Sequence, residues 1–160
     1  MVKIYEYKDE FKNNIMKMIL KIQQEEYNLP ITANDQPDLT NIETFYRQNN
    51  GNFWVGIDNG VVVGTIAIKS IGDGNAMLRK MFVKYEYRGS DIGLSKKLLS
   101  ILIDWASQKK FNRIFLGTTS EFLAAHKFYK KNGFKEINKE DLPINFPIMK
   151  VDKKFYYYRL

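Results

Sequence analysis

The sequence predicts an α+β fold, in which a mixed and mostly antiparallel sheet is flanked by helices. Its 160 residues are enough for one domain with its own core, and we expect residues 1–160 to form a single domain. Strand-like segments follow one another across tight turns in the first half of the chain, which is typical of antiparallel pairing. Segments with helical spacing separate the later strands. The predicted order of elements is therefore β-α-α-β-β-β-α-β-α-β-β.

The first elements are one strand and two helices. Residues 2–7 alternate in residue type and predict a strand, and Asp9 is placed to cap the helix that follows. Apolar residues at helical spacing extend this helix to about Tyr27, and the pair Leu29-Pro30 ends it. After a loop, residues 38–48 predict a shorter second helix.

A three-stranded meander and one crossover come next. Residues 53–57 and 61–70 predict strands joined by the turn Asp58-Asn59-Gly60, and residues 76–83 follow a second glycine-containing turn. Helical spacing returns over residues 91–109. A strand over 113–116, a helix over 121–131 that stops at Gly133, and strands over 134–137 and 154–160 complete the chain.

The composition excludes several classes of site. The chain has no cysteine and a single histidine, His126, so disulfides, thiolate zinc sites and cysteine nucleophiles are excluded, and we expect no bound metal. No segment approaches the ~20 apolar residues of a membrane span. The N-terminal residues lack the apolar core of a signal peptide. We therefore expect a cytoplasmic protein that does not associate with membranes.

The balance of charge points to an anionic ligand. Lys and Arg together number 25 against 18 Asp and Glu, which gives a net charge of +7. Basic surface attracts phosphate, so both nucleic acid and an anionic cofactor are candidates. The lysines are spread along the whole chain, and no nucleic-acid recognition motif accompanies them. We therefore do not expect a nucleic-acid partner.

The segment before the long helix combines two glycines with a helix start. It reads Arg88-Gly89-Ser90-Asp91-Ile92-Gly93-Leu94-Ser95. Glycines let the backbone approach a ligand closely, and free amide groups at a helix start attract anions. Asp91 is placed to cap the helix. An ordinary glycine-containing turn gives the same pattern, so this segment alone does not decide between the two.

A second segment, about three dozen residues later, agrees with the first. It reads Ala124-Ala125-His126-Lys127-Phe128-Tyr129 and ends in Gly133-Phe134. In this order and separation, the two segments resemble the GNAT family of N-acetyltransferases, whose phosphate loop has the pattern Gln/Arg-x-x-Gly-x-Gly/Ala. The predicted order of elements is also similar to that fold.

The resemblance implies acetyl-CoA as co-substrate, and it implies a role for each matching residue. One strand would pair with the pantetheine arm, the glycine loop would hold the pyrophosphate, and the helix behind the loop would begin at Leu94. Tyr129 matches the tyrosine that protonates the departing thiolate. The residues expected to bind the cofactor are Met81, Phe82, Val83, Arg88, Gly89, Ser90, Asp91, Ile92, Gly93, Leu94, Ser95, Thr118 and Thr119.

The chain departs from the family pattern at three places. Asp91 replaces the middle glycine of the loop, and its carboxylate would repel phosphate unless it turns away. Phe122 stands where an asparagine is frequent, so we expect Thr118 or Thr119 to make that pantetheine contact. Residues 77–83 include no carboxylate, whereas several members carry a glutamate base on that strand.

Two further candidates lie outside these motifs. Glu25 and Glu26 end the first helix beside the loop that borders the acceptor site in this fold. They are candidates to bind a cationic amine or to relay its proton through water, although such a pair is more often a solvated helix end. His126 is a candidate base, but a surface or packing role is favoured.

We therefore predict an N-acetyltransferase that transfers an acetyl group from acetyl-CoA to a primary amine by direct attack. Transfer of this kind needs a positioned acyl donor, a neutral amine and a proton source for sulfur, and no covalent enzyme intermediate. The acceptor would be a small-molecule or peptide amine, and a homodimer is an open alternative to a monomer. The alternative function is a non-catalytic domain that senses acetyl-CoA or binds nucleic acid through its basic surface.

Overall fold

A seven-stranded sheet separates two layers of helices in the computed structural model, which describes residues 1–89 and 91–160. Ser90, a predicted cofactor residue, lies outside the described residues. The helices are α1 (Lys12–Lys21), α2 (Ile42–Tyr46), α3 (Leu94–Gln108) and α4 (Leu123–Lys131). The strands are β1 (Lys3–Glu6), β2 (Asn52–Asp58), β3 (Val61–Gly72), β4 (Asn75–Val83), β5 (Arg113–Thr118), β6 (Lys135–Ile137) and β7 (Lys154–Arg159). The predicted α+β fold and its order of elements are confirmed.

Each face of the sheet carries its own apolar core, because the strand residues alternate between the two sides. On one face, the stripe Leu94, Leu98 and Leu102 of α3 is buried against β2 to β5, and α4 packs beside it. On the other face, Ile15 and Ile19 of α1 are fully buried against the strands. The central part of the sheet is therefore packed against helices on both faces.

The strand order is β1-β2-β3-β4-β5-β7-β6, and the neighbouring pair β4 and β5 is parallel. This pairing covers three residue pairs, Asn75–Arg113, Ala76–Ile114 and Met77–Phe115. Beyond Met77 the two strands separate, while each stays paired with its other neighbour. The separation leaves one backbone edge of β4, from residue 78 to residue 83, without a strand partner.

A bulge in β4 changes the direction of two side chains. Thr65 pairs with Phe82 and Ala67 with Arg79, so Lys80 and Met81 lie together opposite Ile66. Lys80 has a left-handed backbone with φ 54°, and the Thr65 hydroxyl donates a 2.7 Å hydrogen bond to its carbonyl. Consecutive strand residues normally point to opposite faces. The bulge instead sends Arg79 and Lys80 to the same side, where both reach one carboxylate, that of Asp38.

The first helix differs from its prediction at both ends. Lys8 is the N-cap of the turn Asp9–Phe11 that precedes α1, and the Asp9 carboxylate accepts a hydrogen bond from the Tyr7 hydroxyl, so the predicted cap at Asp9 is wrong. After Lys21 the chain forms one π-helical turn, Ile22–Glu26, in which the Tyr27 N–H donates to the Ile22 carbonyl. The wider turn ends the helix beside the separation of β4 and β5.

Two candidate properties are absent from the described part of the chain. None of its helices is long and apolar enough to cross a lipid bilayer. Its side chains also include no group of three or more His, Asp or Glu residues arranged to hold a metal ion.

Candidate active site

Two connected cavities lie where β4 and β5 separate. The larger, called the large cleft, has a volume of about 460 Å³ and extends from β4 to α4 and the start of α3. The smaller, called the small cavity, has a volume of about 120 Å³ and extends under the turn at residues 22–26 and the loop before β7. Five residues line both of them: Met81, Phe82, Phe122, Ala125 and Tyr129.

The large cleft has a positive wall. Arg88, Lys96 and Lys131 line it, and none of its described lining residues is Asp or Glu. These three cations give the wall a positive potential that attracts an anionic ligand, although Arg88 is also paired with Glu26 outside the lining. The cleft is thus electrostatically suited to a molecule that carries phosphates.

The start of α3 differs from the prediction for Asp91. Gly93 is the N-cap, with a left-handed backbone of φ 66°, so the predicted cap at Asp91 is wrong. Asp91 is exposed and is not among the residues that line the large cleft, which removes the expected repulsion of phosphate. The Gly93 N–H donates to the Gly89 carbonyl at 3.0 Å. The amides available to a ligand are therefore those of the first helical turn, from Leu94 to Lys96.

The structure brings most of the predicted cofactor residues into one cleft and distributes the others. The large cleft is lined by Met81, Phe82, Val83, Arg88, Gly89, Gly93 and Ser95. Ile92 is exposed, and Leu94 is buried in the core, where its side chain packs near Gly56 and Gly64. Thr118 and Thr119 line the small cavity and not the large cleft.

Tyr129 lies at the junction of the two cavities. Its ring is held by Phe128, Phe134 and Tyr156 at centroid distances between 5.5 and 6.0 Å. Its side chain is 4% exposed, and no hydrogen-bond partner for its hydroxyl lies among the described residues. Burial raises the pKa of the Tyr129 hydroxyl, so the phenol stays protonated at neutral pH. It is a proton donor held between two cavities.

Glu26 forms an ion pair with Arg88, which lines the large cleft. The Arg88 guanidinium donates to both carboxylate oxygens of Glu26, with 2.7 Å between Nη2 and Oε1, and its Nε donates to the Val83 carbonyl. Glu25 is exposed, and neither glutamate is among the residues that line the small cavity. Their binding of an acceptor stays a prediction, whereas the contact between Glu26 and Arg88 was not predicted from the sequence.

His126 takes a packing role. It is buried on the first turns of α4, and its Nε2 donates to the Thr119 carbonyl at 2.8 Å. It lines neither cavity. The hydrogen bond fixes the start of α4 against the end of β5, which helps to hold Tyr129 at its place.

The small cavity has a polar wall that sequence reasoning missed. Gln23 and Gln36 exchange a pair of side-chain hydrogen bonds of 3.0 and 2.9 Å, and Lys80 Nζ donates to Gln36 Oε1 at 2.6 Å. Burial lowers the pKa of Lys80 to about 8, and the nearby Arg79 adds to this effect while Asp38 opposes it. The Lys80 ammonium has three donors, and the wall uses one of them at short distance.

A carboxylate from a distant part of the sequence completes the small cavity. Asp152 lines it from the loop before β7, together with Phe146, Pro147 and Met149. Burial raises the pKa of the Asp152 carboxyl, while the Met149 N–H and the charges of Arg79 and Lys80 act in the opposite direction. The loop thus both covers the sheet and forms one wall of the cavity.

Comparison with known proteins agrees with this geometry. Residues 16–134 match the model of the acetyltransferase (GNAT) family. The crystal structure of a GNAT-family acetyltransferase from Staphylococcus aureus Mu50 has a TM-score of 0.95 and 40% identity, with 99% of each chain covered. The N-acetylglutamate synthase of Neisseria gonorrhoeae, complexed with coenzyme A and N-acetyl-glutamate, has a TM-score of 0.77 and 17% identity, which shows the shared fold alone; it covers 100% of this chain and 35% of that one.

A curated relative is the N-acetylaspartate synthetase of Danio rerio. It is 36% identical over 106 residues, which are 65% of this chain and 37% of the relative. The chain therefore spans little more than a third of the length of this relative. With the family model matched over most of its length, the chain belongs to the acetyltransferase (GNAT) family, as its sequence predicts.

Proposed function

We propose that the chain transfers an acetyl group from acetyl-CoA to a primary amine by direct attack of the amine on the thioester. The position of Tyr129 is the observation that carries this proposal. It places one buried, protonated hydroxyl at the boundary between a basic cleft and a small polar cavity. This arrangement suits a reaction in which two substrates meet and a leaving group needs a proton.

The residues of the large cleft fit coenzyme A. Its phosphates would meet the cations Arg88, Lys96 and Lys131 and the free amides at the start of α3. The pantetheine arm would run along β4 at Met81, Phe82 and Val83, on the edge that faces β5, where the backbone has no strand partner. The bound thioester supplies an activated acetyl group.

Tyr129 would act as the general acid. As the carbon–sulfur bond breaks, negative charge develops on sulfur, and a phenol within hydrogen-bond distance stabilises that charge and donates its proton. A thiol is a stronger acid than the alcohol or amine that leaves in most acyl transfers, yet a buried thiolate is still better stabilised by a hydrogen-bond donor than by an apolar wall. Without cysteine, the chain has no thiol for an acyl-enzyme, which supports direct attack.

Glu26 would limit the affinity for CoA by competing for Arg88. We expect Glu26→Gln to tighten CoA binding roughly two- to fivefold, because the freed guanidinium gains a phosphate and exposed ion pairs are worth about 0.2–1 kcal/mol. Titration calorimetry at low and high salt measures the effect, which should shrink in high salt. Glu25→Gln, which removes the neighbouring exposed carboxylate, is the matched control and should leave the CoA affinity unchanged. Weaker CoA binding by Glu26→Gln would show instead that the ion pair holds Arg88 in its binding position.

The acceptor would be an amine that carries a carboxylate. The Lys80 ammonium and the Arg79 guanidinium both line the small cavity, and their shared partner Asp38 is not among the residues that line it. Two cations beside one buried carboxylate can still receive an anionic group. The relative from Danio rerio, named N-acetylaspartate synthetase, is consistent with an acidic amino acid as the acceptor.

Release of the CoA thiol tests the proposal. A chromogenic thiol reagent would follow turnover of acetyl-CoA with L-aspartate, L-asparagine, L-alanine, L-alanine amide, spermidine and a short peptide. We expect turnover, with the carboxylate-bearing amines ahead of the amide and spermidine. CoA binding without turnover of any amine would favour a sensor, and salt-sensitive DNA binding without CoA affinity would favour the nucleic-acid alternative.

Lys80 should set the preference for a carboxylate. We expect Lys80→Met to raise KM for L-aspartate roughly 10-fold or more and to leave KM for L-alanine amide within twofold, since a hydrogen bond to a charged group contributes about 1.5–3 kcal/mol. Lys135→Met, which removes an exposed lysine of β6, is the matched control for the lost charge. Equal changes for both acceptors would contradict carboxylate recognition by Lys80.

A further inference from the structure

We propose that Asp152 is a catalytic residue that receives the acceptor's ammonium group and takes its proton before attack. The inference rests on the proposed function and adds the base that β4 lacks. Residues 77–82 of β4 line the small cavity, and none of them is a carboxylate. Of the acidic residues that line this cavity, Asp35 is exposed and accepts hydrogen bonds from the N–H and hydroxyl of Thr32. Asp152 is the other.

The position of Asp152 is fixed by the backbone around it. Its N–H donates to the Met149 carbonyl at 3.0 Å, its Oδ2 accepts from the Met149 N–H at 2.9 Å, and the next N–H, of Lys153, donates to the Thr118 carbonyl at 2.9 Å. A tight turn thus holds the carboxylate over β5. Among the described residues, Met149 N–H is the one hydrogen-bond donor to this carboxylate, which leaves Oδ1 for a ligand.

Gly117 makes room for this carboxylate. A Cβ at Gly117 would lie 2.6 Å from Oδ2 and 3.1 Å from Oδ1 of Asp152, closer than real Cβ contacts. Gly117 lines the small cavity at the strand end where β5 has left β4. The absent side chain therefore lets the carboxylate lie flat against β5, inside the cavity that Tyr129 also lines.

The surrounding charges suit a base and not a structural ion pair. The groups that face Asp152 are Arg79 and Lys80 on β4, with Asp38 behind them, and Tyr129 on α4 and Asp35 across the cavity. The ion pairs of Arg79 and Lys80 go to Asp38. Burial raises the pKa of the Asp152 carboxyl, which brings it nearer to that of the amine it would deprotonate.

The proton balance of the reaction is then complete. The acceptor ammonium gives one proton to Asp152, and the neutral nitrogen attacks the thioester carbon, so that a C–N bond forms. The C–S bond breaks, and sulfur takes the proton of Tyr129. The second proton of the former ammonium leaves nitrogen and restores the Tyr129 phenol through water, and the proton on Asp152 leaves to solvent. The products are the amide, the free thiol and one proton.

The first test is Asp152→Asn, whose amide oxygen still accepts from the Met149 N–H. With acetyl-CoA and L-aspartate, or the best acceptor of the panel if it differs, we expect kcat at pH 7 to fall roughly 100-fold or more while CoA affinity and melting temperature stay close to the parent. The deficit should shrink roughly tenfold per pH unit above pH 7, because the free amine then supplies its own neutral form. Asp141→Asn, in the same loop but exposed, is the matched control.

A second variant keeps Asp152 but displaces its carboxylate. Gly117→Ala should lower kcat at least tenfold at pH 7. If the substitution displaces the base, this deficit in kcat should also shrink at high pH. If the added methyl group blocks the cavity instead, the deficit should not depend on pH. Activity of Asp152→Asn within threefold of the parent at pH 7, or a deficit independent of pH, would overturn the role of Asp152.

One measurement does not depend on turnover. Titration of the side-chain carboxyl by ¹³C NMR, assigned with Asp152→Asn, should give a raised pKa for Asp152, and a pKa at or below the ordinary value would overturn the inference. Absence of turnover by the parent chain with every amine of the panel would instead overturn the proposed function, with the NMR result still deciding on Asp152.

Discussion

Tyr129→Phe is expected to lower kcat about 100-fold or more, with acetyl-CoA affinity little changed. The substitution keeps the ring and its contacts with Phe134 and Tyr156, and removes only the hydroxyl. The loss corresponds to about 2.7 kcal/mol of transition-state stabilisation, the scale of one lost general acid or anion donor. Steady-state thiol release gives kcat, and a single-turnover measurement confirms that chemistry limits the rate.

Tyr156→Phe is the control for this experiment. Its ring lies 6.0 Å from that of Tyr129, it is fully buried, and it lines neither cavity, so loss of its hydroxyl tests packing alone. We expect its kcat within twofold of the parent. If Tyr129→Phe also stays within twofold while chemistry limits the rate, the thiolate leaves unassisted or takes its proton from water.

Gly93→Val is expected to weaken CoA binding at least 100-fold in a protein that still folds. The N-cap of α3 needs a left-handed backbone, which a β-branched residue adopts only at a cost of about 1–3 kcal/mol. The substitution would therefore displace the first turn, whose amides the phosphates would meet, and place a side chain in the wall of the cleft. Calorimetric titration of CoA measures the affinity, and circular dichroism checks the fold.

Gly60→Val separates backbone strain from the effect on the cleft. Gly60 also has a left-handed backbone, with φ 77°, but it lies in the turn between β2 and β3 with open space around it. We expect a similar loss of stability and unchanged CoA binding. Normal CoA affinity in Gly93→Val would mean that the phosphates bind elsewhere.

The elements could be predicted because their patterns are local. The leucine stripe of α3 repeats at helical spacing, and the pair Asn59-Gly60 is a strong turn former, so both follow from neighbouring residues. The end of α1 could not, because apolar positions at Ile22 and Tyr27 fit a regular helix as well as the π turn that the structure contains. The caps at Asp9 and Asp91 failed for a related reason. An aspartate near a helix start is compatible with capping, but the backbone conformation decides which residue takes the N-cap position.

The candidate site also has a part that local patterns predict and a part that they do not. The glycine loop and Tyr129 belong to segments with a recognisable pattern, and the structure brings both to the large cleft. The small cavity depends on contacts between distant parts of the chain. Lysine is not a residue that favours a left-handed backbone, so nothing in the sequence marks the bulge that turns Lys80 toward Asp38. Asp152 meets Gly117 across 35 positions of sequence, and Glu26 meets Arg88 across 62.

The short parallel pairing of β4 with β5 affects how the molecule unfolds. The sheet has two parts, β1–β4 and β5–β7, and only three residue pairs between β4 and β5 join them. This boundary therefore has few strand contacts for its position in the middle of the sheet. A ligand that pairs with the free edge of β4 and also contacts α4 would supply contacts between the two parts that the strands themselves do not make. Its binding couples the two parts and adds to the unfolding free energy by linkage, about 2.7 kcal/mol at a concentration 100 times Kd. If CoA pairs with this edge as proposed, we expect the two parts of the sheet to unfold more cooperatively with CoA bound than without it.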